Sequence, residues 1–256
     1  MASHRAVVEP RLPTESAGHL ARPAQLATAG IKSLRISRER LGVEVSAVLR
    51  DLIMSGHFVP GQHLRINDIA KQLEVSTTPV REALLVLEKE GFIESESHRG
   101  FRVTTLNSAD VADLFELHAL IAGMLIERAA VRLELAQVKE LELLDRQIRD
   151  AVRSGQGDEV EEQNFQFHRL INRSAGSVTL RRFLKETTRY VPRRYYQQIP
   201  GWLSSSAQDH APILDALRSK DSTAARVVME AHIRRAGSLL IEHLRSRGLW
   251  DSRPVQ

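Results

Sequence analysis

Two short amphipathic stretches joined by only three residues constrain this chain more than any other feature. Ile66, Ile69, Ala70 and Leu73 form one apolar stripe, and Val80, Ala83, Leu84 and Leu87 form the next. Both repeat at helical spacing. Between them stand Glu74, Val75 and Ser76. So tight a connection makes the two helices share one small core, which is the helix-turn-helix arrangement. Asn67 is placed to cap the first helix, expected over 67–73. Pro79 falls in the first turn of the second, where its missing N–H costs nothing.

The flanks extend the pattern. Upstream, Val45, Val48, Leu49, Leu52 and Ile53 predict a helix from Gly42 to the stop at Gly56. Downstream, Gly91 ends the second stripe. Phe92 and Ile93 then begin a strand, Glu94 to Arg99 form a polar tip, and Phe101 and Val103 resume alternation. A helix-turn-helix followed by such a hairpin is a winged helix. Ser76, Thr77, Thr78 and Arg81 lie on the solvent side of the second helix's N-terminus, which offers free N–H groups and a positive dipole end to phosphate. Arg81 has the reach for a bidentate guanine contact, worth ~1–3 kcal/mol of base discrimination. Arg99 and Gly100 stand at the wing tip, where glycine lets backbone approach a groove. The alternative is that Arg81 pairs with Glu82 or Glu88 and the hairpin is only a hairpin.

Charge alone does not point to nucleic acid. The net charge is +4, but residues 36–105 carry 9 Lys/Arg against 10 Asp/Glu. Cysteine is absent, which excludes disulfides and Cys-based zinc sites. No apolar run approaches the ~20 residues of a membrane helix, and no apolar leader is present, so a cytoplasmic protein is expected. Pro10, Pro13 and Pro23 interrupt a polar start, giving a disordered tail over 1–35. The expected divisions are that tail, a winged helix over 36–105, a helical domain over 106–247 and a C-terminal tail over 248–256.

The second half reads as helices throughout: from Ser108, as cap, to Leu133, then 136–153, 158–173, 178–198, 204–218 and 222–247. Stripes such as Val111, Leu114, Leu117 or His118, Ile121 and Leu125, or Leu141, Leu144 and Ile148, support them. The fold class is therefore mostly α, a winged helix followed by an all-helical bundle. No P-loop or dinucleotide motif occurs. Histidines interrupt three of the apolar stripes. Asn164 and His168 share one helical face, and His210 and His232 sit on two later helices. One asparagine oxygen and three imidazoles suit a divalent metal with open positions. Each histidine alone is more often a hydrogen-bonded core residue, and spacing leaves both readings open.

PGQHLRINDIAKQLEVSTTPVREALLVLEKEGFIE and the following RGFRV resemble the DNA-binding domain of the GntR family of bacterial transcription regulators, over about 41–104. Thr77 stands where that family commonly has arginine, so operator choice is expected to differ. The resemblance implies DNA contacts at Ser76, Thr77, Thr78, Arg81, Arg99 and Gly100. The second half resembles the FCD ligand-binding domain of the FadR subgroup. That likeness implies a metal, zinc or nickel, at Asn164, His168, His210 and His232, with Asn164 in place of the commoner aspartate. It also implies an organic-acid effector. Its usual Arg and Glu positions hold His118 and Ala122 here, so Arg189, Arg193 or Arg194, on a stretch with Tyr195 and Tyr196, would substitute, and His118, Arg189, Arg193 and Tyr195 are the candidate effector contacts. The alternative is that these arginines are surface residues or pair with Glu186.

The expected function is a homodimeric, DNA-binding transcription regulator, a repressor, adjusted by a small organic acid bound beside a metal and independent of membranes. Two alternatives stay open: a regulator whose bundle is structural and ligand-free, and a metal-dependent hydrolase or lyase. No carboxylate is placed as an obvious general base, and an enzyme would leave the winged helix unexplained.

Overall fold

The computed structural model describes residues 38–96, 100–104, 107–191 and 198–249. The expected tail over 1–35 and most of that over 248–256 lie outside the described residues.

Helix α1 (Arg38–Met54) lies against α3 (Thr77–Lys89), with α2 (Ile66–Gln72) between them in sequence. Leu49, Leu52, Ile69, Val80, Leu84 and Leu87 close their common core. Glu74 adopts a left-handed backbone, φ 54°, and the Val75 N–H reaches back to the Ala70 carbonyl at 3.0 Å. That one left-handed residue lets three residues turn the chain from α2 to α3. The N-cap of α2 is Arg65 rather than Asn67, which lies inside the helix and exposed.

The hairpin of β2 (Ile93–Glu96) and β3 (Gly100–Val103) gains a third strand that the sequence did not announce, β1 (His63–Leu64). The order is β1-β3-β2, all antiparallel, with Leu64 opposite Phe101 and Ile93 opposite Val103. Two residues are too few to show alternation. Leu64, Ile93 and Val103 point into the core under α1 and α3.

The second half comprises α4 (Ser108–Ala130), α5 (Leu135–Arg153), α6 (Gly157–Ser174), α7 (Val178–Thr187), α8 (Trp202–Gln208), α9 (His210–Arg218) and α10 (Ser222–Ser246). The cap of α4 is Asn107, not Ser108: its Oδ1 accepts from the N–H groups of Ala109 and Asp110, and Asp110 answers to the Asn107 N–H. The helix expected over 178–198 ends at Thr187 and passes into a 3₁₀ turn, Thr188–Tyr190. The helix expected over 204–218 is two helices, broken at Asp209. Among the described residues, no helix is long and apolar enough to cross a membrane.

Helices α4 and α10 run antiparallel and very close. A Cβ on Gly237 would stand 2.6 Å from Phe115 Cγ, and one on Gly123 would stand 2.7 Å from Glu230 Cγ. Alanine inside a helix ordinarily stabilises by ~1 kcal/mol over glycine. At Gly237 the contact with Phe115 reverses the sign, because overpacking costs ~1–3 kcal/mol. Urea unfolding of Gly237→Ala should give a midpoint below wild type. A midpoint above it would mean that α4 and α10 are not held at this spacing.

Candidate DNA-binding face and histidine cluster

The N-terminus of α3 leaves Ser76, Thr77, Thr78 and Arg81 exposed. Ser76 is the N-cap residue, and its side chain makes no capping bond, so the hydroxyl is available to a ligand. Arg81 forms no ion pair with Glu82 or Glu88. Pro79, Val80 and Ala83 are buried beneath these residues, so the polar face rests on a fixed apolar one. At the wing, Gly100 has φ 92° and a missing Cβ 3.3 Å from the Leu64 carbonyl oxygen. Both the dihedral and the close approach favour glycine. Arg99 lies outside the described residues.

In the bundle, α6 carries Asn164 and His168, α9 opens with His210, and α10 carries His232. One ring nitrogen from each histidine falls within a common 4.8 Å. The closest approach is His168 Nε2 to His232 Nε2, at 3.2 Å. His210 is fully buried and stacks on Phe167, ring centroids 4.0 Å apart and 5° from parallel. Neither of its nitrogens has a hydrogen-bond partner, and the buried Oδ1 of Asn164 has none either. His118, on α4, is buried with its Nδ1 unpartnered, and Ala122 is buried one turn further on. In the α4 stripe, His118 rather than Leu117 faces inward.

His118, His168 and His210 are held neutral. Burial, then the neighbouring His232, pushes His118 down to about 4. Burial, with His232 beside them, takes His168 and His210 well below the ordinary histidine range. Neutral imidazole is the form that binds metal. Two nitrogens on one tetrahedral zinc, each about 2.0–2.1 Å from the ion, stand about 3.3 Å apart. The 3.2 Å between His168 and His232 fits that requirement, and Asn164, one helical turn before His168, brings a buried oxygen that has no partner of its own.

Two carboxylates missed by sequence reasoning stand behind the histidines. Asp209 Oδ2 lies 3.4 Å from His232 Nδ1 and also accepts from Ser205 Oγ at 2.7 Å. Burial pushes Asp209 up, but hydrogen bonds from His232 and Ser205 and the charge of Arg235 outweigh it and hold it below the usual carboxylate range. Asp145, on α5, is fully buried, with Oδ1 3.8 Å from His210 Nδ1. Burial raises its pKa, and Arg149 only partly offsets this. The signal for Asp209 was its place directly before His210. That for Asp145 was an acid in line with Leu141 and Ile148, where the sequence stripe had placed Leu144.

Arg189 points elsewhere. It pairs with Glu186 and, at 3.4 Å, with Glu90 at the end of α3. Arg193 and Tyr195 lie outside the described residues. Glu90 also takes Arg50 at 2.6 Å, and its carbonyl accepts from the Tyr190 hydroxyl at 3.0 Å. The Tyr190 ring stacks on Phe92, centroids 4.6 Å apart. The winged helix and the bundle are thus joined at the C-terminus of α3.

The model of bacterial regulatory proteins of the gntR family matches residues 41–103, and the FCD domain model matches residues 113–235. The Nta operon transcriptional regulator of Aminobacter aminovorans is 31% identical over 205 residues, covering 76% of this chain and 91% of that protein. The Uxu operon transcriptional regulator of Escherichia coli (strain K12) is 28% identical over 229 residues, covering 80% and 89%. Among solved structures, E. coli McbR/YncC superposes with a TM-score of 0.62 at 22% identity, over 81% of this chain and 98% of that one, a likeness of fold.

The buried histidines give folding a pH dependence of defined sign. His118 titrates near 4 when folded and near 6.5 when unfolded. Its contribution is complete above about 6.5 and is lost as pH falls towards 4, an interval worth about 3 kcal/mol. Urea unfolding with chelator present should show wild type losing stability from pH 7.5 to 4, with His118→Leu losing about 3 kcal/mol less. Identical losses in the two proteins would contradict a neutral, buried His118.

Proposed function

The chain belongs to the GntR family of bacterial regulatory proteins and carries an FCD domain, and from that membership we propose a metal-containing, effector-responsive repressor of the FadR subgroup. It is a DNA-binding transcription regulator and not an enzyme. Residues 36–105 serve as its DNA-binding half and 106–247 as its effector half, in the cytoplasm, where the operator is. The observation that carries the effector half is the meeting of three imidazoles from three helices within 4.8 Å.

On the DNA side, Arg81 reads a base edge, Ser76, Thr77 and Thr78 meet phosphates or neighbouring bases, and Arg99 and Gly100 of the wing touch the adjacent groove. Ser76 makes no capping bond and, among the described residues, Arg81 forms no ion pair, which supports this. A homodimer places two such faces on the halves of a palindrome. Exposed Leu117 and Leu120 on α4 and Val227 on α10 support a second copy, and sedimentation velocity reads it directly: a monomer at all concentrations would refute it. Arg81→Ala should weaken binding to the cognate operator by ~1–3 kcal/mol and relax preference at one position in each half-site. Selection of bound sequences from a random pool checks both, and an unchanged motif would remove Arg81 as a base reader.

In the bundle, Asn164, His168, His210 and His232 hold zinc or nickel. The ion supplies a Lewis-acid position for one oxygen of a small organic acid. His118 faces the same space and, being neutral, orients the effector by hydrogen bonding instead of by the charge of an arginine. Arg189 is engaged at Glu90 and serves the junction between the domains. Effector binding alters operator affinity through that junction, provided the two states of the bundle bind the effector with different affinity.

Zinc or nickel at about 100 times its Kd should raise the unfolding temperature by roughly 5–10 °C. The double variant His210→Ala, His232→Ala should show no such shift and should carry no metal by elemental analysis. A wild-type protein that gains nothing from either ion would leave the bundle a ligand-free structural domain.

A further inference from the structure

Asp145 stands in a position that its partnership with Arg149 does not explain. An exposed ion pair one helical turn apart needs no buried carboxylate, and such pairs contribute little. Yet the Asp145 side chain is 1% exposed, whereas that of Arg149 is 39% exposed. Arg149 engages Oδ2, which leaves Oδ1 buried and without a hydrogen bond. An unsatisfied buried acceptor is destabilising, the more so when charged. The group facing Oδ1 is His210 Nδ1, 3.8 Å away, itself buried and unsatisfied. Two orphaned groups of opposite character, one donor and one acceptor, therefore face each other just beyond hydrogen-bond distance.

We propose that Asp145 is a positioning residue: its Oδ1 accepts the Nδ1–H of His210, fixes that tautomer, and leaves Nε2 as the nitrogen offered to a divalent metal. This rests on the metal reading of the histidine cluster. The neighbouring histidine repeats the design, since Asp209 Oδ2 stands 3.4 Å from His232 Nδ1 and the His232 Nε2 faces His168. Metal-ligating histidines characteristically turn their second nitrogen to a carboxylate, which raises the basicity of the first. The ligand set itself is neutral, three imidazoles and the Asn164 amide. Asp145 and Asp209 return negative charge to the site from one shell further out. Phe167, stacked flat on His210, leaves rotation within the ring plane as the freedom that a hydrogen bond donated by His210 to Asp145 removes.

Three variants of the full chain test the assignment: Asp145→Leu, Asp145→Asn and Arg149→Ala. Zinc affinity is measured by competition with a chromophoric chelator, and the His210 tautomer by 15N-resolved long-range NMR on the metal-free protein. Asp145→Leu should bind zinc ~10–100-fold more weakly and shift His210 towards the Nε2–H tautomer. Asp145→Asn should fall between it and wild type, and Arg149→Ala should leave affinity and tautomer unchanged. Wild-type affinity in Asp145→Leu, or an equal loss in Arg149→Ala, overturns the proposal while leaving the metal site standing. If the leucine variant does not fold, wild-type zinc affinity in Asp145→Asn overturns it as well. A wild-type chain that takes up no zinc overturns both readings together.

Discussion

The helical half depends on the close approach of α4 and α10. Glycine inside a helix costs ~1 kcal/mol relative to alanine, and this pair carries one on each side, at Gly123 and Gly237. The return is burial: Phe115, Leu125 and Ile126 on α4 and Met229, Ile233 and Leu240 on α10 are removed from water, each worth ~1.5–3 kcal/mol. A chain of ion pairs runs alongside, from Glu116 through Arg234, Glu230 and Arg226 to Glu127. Most of these side chains are well exposed, so each pair contributes at most ~1 kcal/mol. The apolar seam supplies the stability and the ion pairs select the register. That register sets His118 on α4 and His232 on α10 at one level of the bundle.

At that level the protein carries an expense that folding alone does not justify. His118 Nδ1, both nitrogens of His210 and Asn164 Oδ1 are buried without partners. At ~1–3 kcal/mol each, the sum is comparable with the ~5–15 kcal/mol by which a domain is stable. Leucine or phenylalanine at the same positions would pack without that cost. Costly groups gathered around three imidazoles that meet within 4.8 Å are what a ligand-binding site requires, because a ligand returns energy when it arrives. Structural zinc returns ~10–16 kcal/mol in small peptide sites, so the metal proposed above would offset the orphaned atoms around this cluster.

Local patterns made the winged helix legible. The stripes of α1 and α3, the stop at Gly91 and the alternation around Phe101 all follow from periodicity. Strand β1 did not, because two residues carry no period. The histidines were legible as interruptions of apolar stripes, but their meeting was not, since it depends on how α6, α9 and α10 cross. Asp145 was overlooked because a helix stripe read by hydrophobicity favours Leu144, its apolar neighbour. The break at Asp209 lies inside a sequence without glycine or proline until Pro212. It is explained by tertiary duty: as the last residue before α9, Asp209 meets Ser205, His232 and Arg235 together. The family resemblance supplied what periodicity could not, namely which histidines belong to one set.

The route from that cluster to α3 is short in structural terms. Helix α10 carries His232 at its middle and Leu244 near its end, where Leu244 and Leu249 close over Gly56 at the end of α1. Helix α6 carries His168, and α7 follows it directly into the 3₁₀ turn that holds Arg189 and Tyr190 against Glu90. The same three helices that form the cluster therefore include one that ends on α1 and one that leads to the C-terminus of α3. Packed interiors repack in steps instead of deforming smoothly. A change in the spacing of α6 and α10 would reach the winged helix at two separated points, the Gly56 contact and the Phe92–Tyr190 stack. Two points displaced unequally rotate a rigid body, and in the dimeric regulator proposed above such a rotation would move Arg81 relative to the second copy's recognition helix.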